Sequence, residues 1–362
     1  SVTSIGYDAF RGCTGLTSVT IGDSVTSIGD SAFYGCYSLV EVYNKSSLNI
    51  TKGSSNNGYV AYYALNVYTP ESGSSILIDD VDNEDYVFMK YDGSYHLVKY
   101  IGNDTIVSLP EQFKDGNNIV TSYGIWEYAF YQNTKITQIT IPNSVTSIGS
   151  SAFSGCTGLK ELIIPISLNA VGSNNYPAFS GCTNIENITF TAGTGEGYDY
   201  GTNRSNTYSD YYGYTPWHIS NGSLKSIVLH DGILSIGDYG FYGCSNLKNI
   251  ANLSRMDLAP GSSLNGYVSY YATNILEGEY FEYEGLEFLY DYDNSTAILL
   301  SVPSDAKELE LDSIRIYGKK YLISDIFPGA LILCDDITTC FFGPGFKTIP
   351  SGVFENHPSL KS

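Results

Sequence analysis

Cysteine and histidine are the residues whose side chains most readily bind metals or act as nucleophiles, and the chain has seven cysteines and four histidines. The sequence contains no Cys-x-x-Cys pair and no group of cysteines with histidines, so a zinc site is not expected. Cys340 falls on an apolar position of an alternating segment and is expected in the core. The other six each follow an aromatic or apolar residue by three positions: Cys13, Cys36, Cys156, Cys182, Cys244 and Cys334.

One recurring spacing explains these six cysteines better than redox chemistry does. Asn133 and Asn221 occupy the same position in other segments, and an apolar residue follows three positions later. A small polar side chain that hydrogen-bonds the backbone of a turn fits that position, so we predict buried, free thiols. Segments stacked at strand spacing would bring such cysteines to about 5 Å from one another, which leaves an occasional disulfide sterically open.

Hydrolytic and metal-dependent chemistry is not indicated elsewhere in the sequence. The four histidines lie in unrelated contexts, and there is no Gly-x-Ser-x-Gly elbow. The acidic segments 79–85 and 277–287 lack the Asp-x-Asp-x-Asp-Gly spacing with a distal Glu that a calcium loop needs. We interpret them as solvated charge that also deters edge pairing of strands. The sequence therefore predicts no enzyme, with no catalytic residues, no metal and no cofactor.

The charge of the chain limits its partners. Asp and Glu number 38 against 18 Lys and Arg, which gives a formal net charge of −20. Such a surface repels phosphate polymers and anionic lipid, so nucleic acid is not an expected partner. No apolar run is long enough to span a bilayer, and no signal peptide is visible. The chain starts and stops within repeated segments, so we expect it to be a piece of a longer protein.

A repeat of 23 residues supplies the elements that position all these side chains. "LTSVTIGDSVTSIGDSAFYGC" begins at Leu16, and "ITQITIPNSVTSIGSSAFSGC" begins at Ile136. In the first, Val19 and Ile21 alternate with polar residues, which predicts a half-buried strand. The Ala-Phe segment that follows is too short for more than one helical turn. One such coil cannot bury its own apolar residues, so the coils must stack around a shared parallel sheet.

The array is itself duplicated. "GSSNNGYVAYYALNVYT" at Gly53 returns as "GSSLNGYVSYYATNILE" at Gly261, an offset of 208 residues. Each copy is followed by a segment with hairpin character, over 86–102 and 281–300. These features predict one continuous solenoid in three blocks, 1–85, 86–280 and 281–362, with a β-hairpin insert opening each of the last two. The second block also carries a Tyr-rich loop, 191–221, and the repeats of the third are degenerate.

The motif Leu-x-x-Val-x-Ile followed by Val-x-x-Ile-Gly-x-x-Ala-Phe-x-x-Cys resembles the BspA-like class of leucine-rich repeats, found on bacterial and some protozoan surfaces. The resemblance covers about two-thirds of the chain and is clear in five or six repeats. It implies a right-handed, curved leucine-rich-repeat solenoid of the α/β class, rich in β-structure, with the strands on the concave side and short 3₁₀ or helical segments on the convex side. It also implies a secreted or surface-attached protein, in some members an adhesin, without shared catalytic residues.

Two surfaces are candidates for ligand binding. Alternation turns two rows of mostly short, polar side chains to the concave side. The candidate ligand residues are Glu161 in the first row, called the polar row, and Tyr43 in the second outward row, which also contains Val228. A solvated sheet whose serines and threonines serve β-propensity is the competing interpretation. The other candidate is the Tyr-rich loop, whose aromatic residues among Gly, Ser, Asn and Asp are typical of adaptable binding loops. Its candidate residues are Tyr198, Tyr200, Tyr208, Tyr211, Tyr212, Tyr214 and Trp217.

Three functions are compatible with these features. The first is a non-enzymatic, extracellular adhesion or binding module that contacts a host or microbial surface protein or glycan. The second is a structural spacer that displays other domains, and the third is a glycan-binding protein. Sequence beyond the two ends would separate the first two, and binding assays after deletion of the loop would test the ligand role of its tyrosines.

Overall fold

The computed structural model is a β-solenoid of about 11 turns with almost no helix. It describes residues 2–69, 75–78, 82–165, 168, 170–171, 177–191, 198–200, 222–231, 233–236, 241–254, 256–303, 305–331, 334, 336–350, 353–354 and 359–360. The strands of the first half are β1 Ser4–Ile5, β2 Ser18–Ile21, β3 Ser27–Ile28, β4 Glu41–Asn44, β5 Asn66–Tyr68, β6 Leu77–Ile78, β7 Tyr86–Tyr91, β8 Ser94–Tyr100, β9 Ile106–Ser108, β10 Phe113–Asp115, β11 Asn118–Val120, β12 Tyr123–Ile125, β13 Gln138–Thr140, β14 Val145–Ile148, β15 Glu161–Pro165 and β16 Ala170–Val171. Those of the second half are β17 Asn187–Thr191, β18 Tyr198–Tyr200, β19 Ser226–Leu229, β20 Ile233–Ile236, β21 Asn249–Asn252, β22 Asn274–Glu277, β23 Glu279–Tyr283, β24 Leu286–Asp291, β25 Thr296–Ser301, β26 Glu308–Leu311, β27 Ser313–Ile316, β28 Lys319–Ile326 and β29 Thr339–Phe342.

The Leu-x-x-Val-x-Ile segments form the parallel sheets that the repeat predicts. The largest is a seven-stranded sheet in the order β22-β21-β19-β17-β15-β13-β9, and a smaller sheet pairs β2, β4 and β5. Ser18 pairs with Glu41 and Gln138 pairs with Glu161, which is the 23-residue register read from the sequence. Strands β26 and β29 form a third, two-stranded parallel sheet near the C-terminus.

The Val-x-x-Ile-Gly segments form a second row of strands, and each hairpin joins that row. Strands β7 and β8 pair antiparallel around Asp92-Gly93, and β24 and β25 pair antiparallel around Asp293-Asn294. Strand β8 then pairs in parallel with β12, and β25 pairs in parallel with β28. The last strand of each hairpin is therefore also a strand of the coil stack. The division into three blocks and the description of the hairpins as inserts stay predictions.

The Ala-Phe segments are turns instead of helices, because left-handed residues interrupt them at short intervals. Ser31 and Gly35 have φ angles of 56° and 78°, and Ser151 and Gly155 have 55° and 76°. A left-handed residue every few positions prevents a run of α-helical hydrogen bonds. Within the described residues, the 3₁₀ structure consists of Asn265–Tyr267.

Stacked aromatic rings fill the interior of the coils. The ring centre of Phe153 lies 4.6 Å from that of Phe130 and 4.9 Å from that of Phe179. The side chain of Phe153 is 1% exposed, so the stack is sealed from water at that level. Phe10 stacks on Phe33 at 4.9 Å but is 38% exposed, because it lies on the first coil.

The cysteines confirm the predicted turn position. All seven are free, and five of the six at that position are buried. The thiols of Cys36, Cys156 and Cys182 each donate a hydrogen bond of 3.1 Å to a backbone carbonyl of the neighbouring coil. Two expectations of burial were wrong. Cys13 is exposed because its coil has a neighbour on one side only, and Cys340 is half-buried at the edge of the C-terminal core.

Candidate functional site

The outer face of the seven-stranded sheet carries the predicted polar row, but the row is not solvated. Glu161 is 7% exposed, Asn187 is 3% exposed and Ser226 is 2% exposed. The expectation of an open concave surface is therefore wrong over this part of the sheet. The register aligns the polar row as Gln138, Glu161, Asn187, Ser226, Asn249 and Asn274, and the apolar Ile106 takes the same position on the edge strand β9.

Strands β24 and β25 and the turn 327–330 cover this face, and we call them the covering segment. Val228 and Ala251, in the second outward row of the sheet, pack in one apolar cluster with Leu289, Leu300 and Phe327. These last three project from the outside of the C-terminal coils, so burial of apolar area holds the two surfaces together. The covering segment thus occupies the place where the sequence predicted solvent or a ligand.

Gly329 marks the closest approach between the covering segment and the polar row. A Cβ atom on this residue would lie 3.1 Å from Ser226 Oγ and 3.3 Å from Asn187 Cγ. The φ angle of Gly329 is 101°, a backbone conformation that favours glycine. The fit of the covering segment on the sheet therefore requires a residue without a side chain at this position.

The polar row is linked by side-chain hydrogen bonds. Ser226 Oγ donates to Asn187 Oδ1 at 3.1 Å, and Asn187 Nδ2 donates to Glu161 Oε1 at 3.3 Å. Burial raises the pKa of Glu161 to about 8, the negative charge of Glu287 adds to the rise, and the hydrogen bond from Asn187 opposes it. A carboxyl group in this environment is mostly protonated at neutral pH.

A cleft of about 290 Å³ remains between the sheet and the covering segment. Its walls are mostly polar, and Glu161 lies at the boundary between the cleft and the covered part of the row. The cleft is lined by Ile106, Ser108, Gln138, Thr140, Glu161, Gly285, Ser301, Val302, Pro303, Asp305 and Ala330.

Tyr43 lies on a different sheet from Glu161, so the two candidate residues of the concave side are not brought together. Its hydroxyl donates to Glu41 Oε2 at 3.1 Å, and its ring stacks on Tyr68 at 4.9 Å. Glu41 is 1% exposed and also accepts hydrogen bonds from Tyr68 Oη and the backbone N–H of Ile76. Tyr43 is half-buried in this network, and its ligand role stays a prediction.

The Tyr-rich loop falls largely outside the described residues. The backbone of Tyr198–Tyr200 forms a strand that pairs in parallel with β20, so the coil stack continues at this point. The following candidates lie outside the described part of the chain: Tyr208, Tyr211, Tyr212, Tyr214 and Trp217.

A group of tyrosines on the turns of the coils is an exposed feature that the sequence analysis missed. The ring centres of Tyr34 and Tyr59 are 5.2 Å apart, and Tyr37 stacks on Tyr128 at 4.3 Å. Tyr34 and Tyr62 are 42% and 45% exposed, so the group presents aromatic surface to solvent. We call this group the turn-side tyrosines: Tyr34, Tyr37, Tyr59, Tyr62, Tyr63, Tyr128 and Tyr131.

The second copy of the array repeats part of this group. Tyr242 contacts Tyr267 at 5.1 Å, Tyr267 contacts Tyr270 at 5.3 Å, and Tyr270 contacts Tyr271 at 4.9 Å. Each of these four lies 208 residues after a turn-side tyrosine. The duplication was visible in the sequence, so the conserved offset of these tyrosines could have revealed the surface.

Two kinds of site are absent from the described part of the chain: a metal centre and a membrane-spanning helix. No three His, Cys, Asp or Glu side chains there lie close enough together to hold a metal ion. No helix in that part of the chain is both long and apolar enough to cross a membrane.

Three solved structures illustrate what the chain is similar to. A leucine rich cell surface protein from Faecalibacterium prausnitzii A2-165 is 18% identical, with 80% of this chain and 82% of that chain covered and a TM-score of 0.28. A leucine rich repeat protein from T. pallidum is 18% identical, with 78% of this chain and 92% of that chain covered and a TM-score of 0.32. A leucine-rich repeat protein from Eubacterium ventriosum ATCC 27560 is 18% identical, with 99% of this chain and 81% of that chain covered and a TM-score of 0.29. No curated protein matches the sequence.

The family comparison agrees with the repeat and with the coil geometry. The BspA type leucine rich repeat region matches in six copies, over residues 1–62, 123–201 and 218–263, which together make up more than half of the chain. These ranges contain many of the stacked strands, five of the six turn-position cysteines and six of the seven turn-side tyrosines. The chain therefore belongs to the BspA-type leucine-rich repeat family.

Proposed function

We propose that this protein is a non-enzymatic, extracellular binding protein that adheres to a host or microbial macromolecule through its turn-side tyrosines. The observation that carries the proposal is the exposed tyrosine surface, part of which recurs in the second copy of the array. The extracellular location rests on the resemblance to surface proteins with BspA-like repeats.

Exposed tyrosine clusters are suited to recognition because each ring offers a large contact area at a small entropic cost. Tyr34 and Tyr62 are open to solvent, while neighbouring rings hold them in fixed positions. Arg11 lies 5.5 Å from the ring centre of Tyr34, and its guanidinium group forms an ion pair with Asp8 at 3.0 Å. Burial of such rings in a partner's pocket is the usual source of binding energy at protein interfaces.

The remaining surfaces offer less for a large partner. The covering segment occupies much of the polar row, where Asn187 and Ser226 are buried. The net charge of −20 disfavours polyanions, so the partner is expected to be neutral or basic. A surface protein or an uncharged glycan meets this condition.

The test is a binding screen of the purified chain on arrays of glycans and matrix proteins, followed by titration of the hits. The variant Tyr34→Ser/Tyr59→Ser/Tyr62→Ser should weaken binding by at least about tenfold, because it removes two exposed rings and the half-buried ring of Tyr59 that contacts both. Tyr317→Ser is the matched control, since Tyr317 is 94% exposed and lies outside the tyrosine group. Deletion of residues 198–217 tests the Tyr-rich loop separately. Equal binding by the triple variant and the wild type would show that the tyrosine surface is not the contact site.

A further inference from the structure

Three tyrosines on the turns of the coils have a backbone conformation that disfavours a bulky side chain. Tyr59, Tyr128 and Tyr267 have φ angles of 67°, 58° and 63°, in the left-handed region. Bulky residues seldom occupy that region, and those that do are concentrated at binding and active sites. The second copy of the array keeps the feature, because Tyr267 lies 208 residues after Tyr59.

The turn itself does not require tyrosine at this position. Ser31 and Ser151 occupy it in two other coils, with φ angles of 56° and 55°. The carbonyl of Ser31 accepts a hydrogen bond of 3.0 Å from the N–H three residues later, and the carbonyl of Tyr59 accepts the equivalent bond of 3.1 Å. Because the turn forms equally with a small side chain, a tyrosine kept in a disfavoured conformation points to a role of its ring in binding.

Each of these three tyrosines contacts the tyrosine that follows it by three residues. Tyr62 and Tyr270, the later members of two of the pairs, are 45% and 42% exposed. The rings of a pair are inclined by 57° to 82°, so the edge of one ring meets the other, and an exposed ring keeps surface that a partner can contact. The face of an aromatic ring carries negative charge density and attracts cations. The pairs, with the distances between ring centres, are Tyr59 with Tyr62 at 5.3 Å, Tyr128 with Tyr131 at 5.5 Å and Tyr267 with Tyr270 at 5.3 Å.

The first coil shows a cation bound on this surface. Its turn carries Asp8 and Arg11 at the two positions that hold a tyrosine pair in later coils. The guanidinium group of Arg11 pairs with Asp8 at 3.0 Å and lies 5.5 Å from the ring centre of Tyr34 on the next coil. In the second copy, the ammonium group of Lys248 lies 5.8 Å from the ring centre of Tyr271. A cation of the chain itself therefore contacts a ring of the tyrosine group in both copies.

The charge of the chain favours a basic partner for the remaining rings. A net charge of −20 attracts a basic polypeptide and gives no advantage to an uncharged glycan. The guanidinium group is the best-suited cation, because it is planar, weakly hydrated and stacks on aromatic faces. Ring surface and charge together favour a polypeptide that carries arginine.

We propose that the turn-side tyrosines, and the tyrosines that repeat them in the second copy, bind arginine side chains of a basic polypeptide by cation–π contact. This proposal rests on the binding function proposed above and specifies its partner. Because a tyrosine pair recurs on separate coils, a segment with several arginines can contact more than one coil at once.

Calorimetric titration of the chain at about 0.15 M salt tests the proposal. The probe is the capped peptide Gly-Arg-Ser-Arg-Gly-Arg-Ser-Arg, and its uncharged match has citrulline in place of each arginine. We expect saturable binding of the arginine peptide with a Kd of about 1 mM or tighter, and no binding of the citrulline peptide at the same concentrations. Equal binding of the two peptides, or no saturable binding of the arginine peptide, would overturn the proposal.

Variants that leave the net charge unchanged separate ring contact from general attraction to an acidic chain. Serine at five of the tyrosines should weaken binding of the arginine peptide by at least about tenfold, whereas phenylalanine at the same positions keeps the ring faces and should retain the affinity within about threefold. Serine is compatible with the turn, as Ser31 and Ser151 show. Equal affinity in the serine variant, or an equal loss in both variants, would refute cation–π contact. The serine variant is Tyr34→Ser/Tyr59→Ser/Tyr62→Ser/Tyr267→Ser/Tyr270→Ser.

The screen on glycans and matrix proteins separates this proposal from the proposed function. If an uncharged glycan binds the wild type but not the serine variant, and the arginine peptide does not bind, the tyrosine surface is a binding site and only the arginine proposal fails. If the serine variant loses neither the arginine peptide nor any target of the screen, both proposals fail.

Discussion

Replacement of Gly329 by alanine tests whether the covering segment is docked on the polar row as the structure shows. Gly329 has a φ angle of 101°, and its Cβ would approach Ser226 Oγ to 3.1 Å and Asn187 Cγ to 3.3 Å. Neither neighbour moves freely, because both are buried and joined by a hydrogen bond of 3.1 Å. Retreat of Asn187 would also lengthen its bond to Glu161.

Gly318→Ala is a matched control, because Gly318 has a φ angle of 83° and open space where its Cβ would be. Both substitutions carry the left-handed backbone cost of about 1–2 kcal/mol. Gly329→Ala adds an overpacking cost of about 1–3 kcal/mol at the contact with the sheet. The difference between the two variants in free energy of unfolding therefore isolates the docking contact.

Chemical denaturation gives the two free energies, and hydrogen exchange locates the loss. Gly329→Ala should raise exchange on both sides of the contact, in β24 and β25 and in β17 and β19 of the sheet. Gly318→Ala should raise it only around the turn between β27 and β28. Equal losses of stability, together with unchanged exchange in the sheet, would refute the docking that the structure shows.

Three further predictions concern the core and its buried charges. Phe153→Ala should cost about 3–5 kcal/mol in denaturant unfolding, because it empties a stack with neighbours on both sides, whereas Phe10→Ala on the exposed first coil should cost far less; similar losses would contradict nearest-neighbour stacking. The pKa of Glu161 rises to about 8 in the folded state, so the free energy of unfolding should fall as pH rises from about 4.5 to about 8, by at most roughly 5 kcal/mol. In unfolding experiments across this pH range, Glu161→Gln should show a smaller dependence of stability on pH. Burial lowers the pKa of Lys99 to about 8, so the native state should lose stability as pH falls from about 10.5 to about 8. Lys99→Met should therefore stabilise the protein at pH 7 by up to roughly 3 kcal/mol, measured by thermal unfolding. An unchanged Tm would show that other interactions already offset the cost of burying the ammonium group.

The repeat made the local structure predictable. The 23-residue offset set the register of Ser18 on Glu41 and of Gln138 on Glu161, because apolar residues at fixed positions must align to be buried. The same alignment placed the cysteines at turns, where Asn133 now accepts hydrogen bonds from the backbone N–H groups of Lys135 and Ile136. Each of these contacts joins neighbouring residues or neighbouring coils, so the repeat itself encodes it.

The covering of the polar row was not predictable in the same way. It joins Val228 and Ala251 to Leu289, Leu300 and Phe327, which belong to distant coils. The position of the covering segment depends on how the C-terminal coils are oriented relative to the seven-stranded sheet. A period of 23 residues does not encode that orientation. The apolar side chain of Val228 was nevertheless a signal, because alternation placed it in the second outward row, where Ala251 pairs with it in the structure.

The two copies of the array differ at the positions that contact a hairpin. In the first copy the hairpin residues Met89 and Val98 pack with Val40, whereas the equivalent of Val40 in the second copy is the exposed Lys248. The second copy docks its hairpin on the second outward row instead, and its residues there are apolar where the first copy has polar or hydroxyl-bearing side chains. At the 208-residue offset the positions pair as Thr20 with Val228, Tyr43 with Ala251 and Tyr68 with Leu276.

Both copies have the same coil fold, so the repeat itself does not require apolar residues in the second outward row of one copy and polar residues in that of the other. The difference is explained by the hairpin, which packs on this row in the second copy and elsewhere in the first. The apolar side chain of Ala251 is explained by its packing against Leu289 and Phe327. At the equivalent position, the hydroxyl of Tyr43 donates a hydrogen bond to Glu41. Divergence between copies of a duplicated solenoid therefore marks surfaces that other segments cover. Tyr62 and Tyr270 are retained at the same offset and stay 45% and 42% exposed despite their contacts with neighbouring rings, and that retention directs the search for a partner to the turn side.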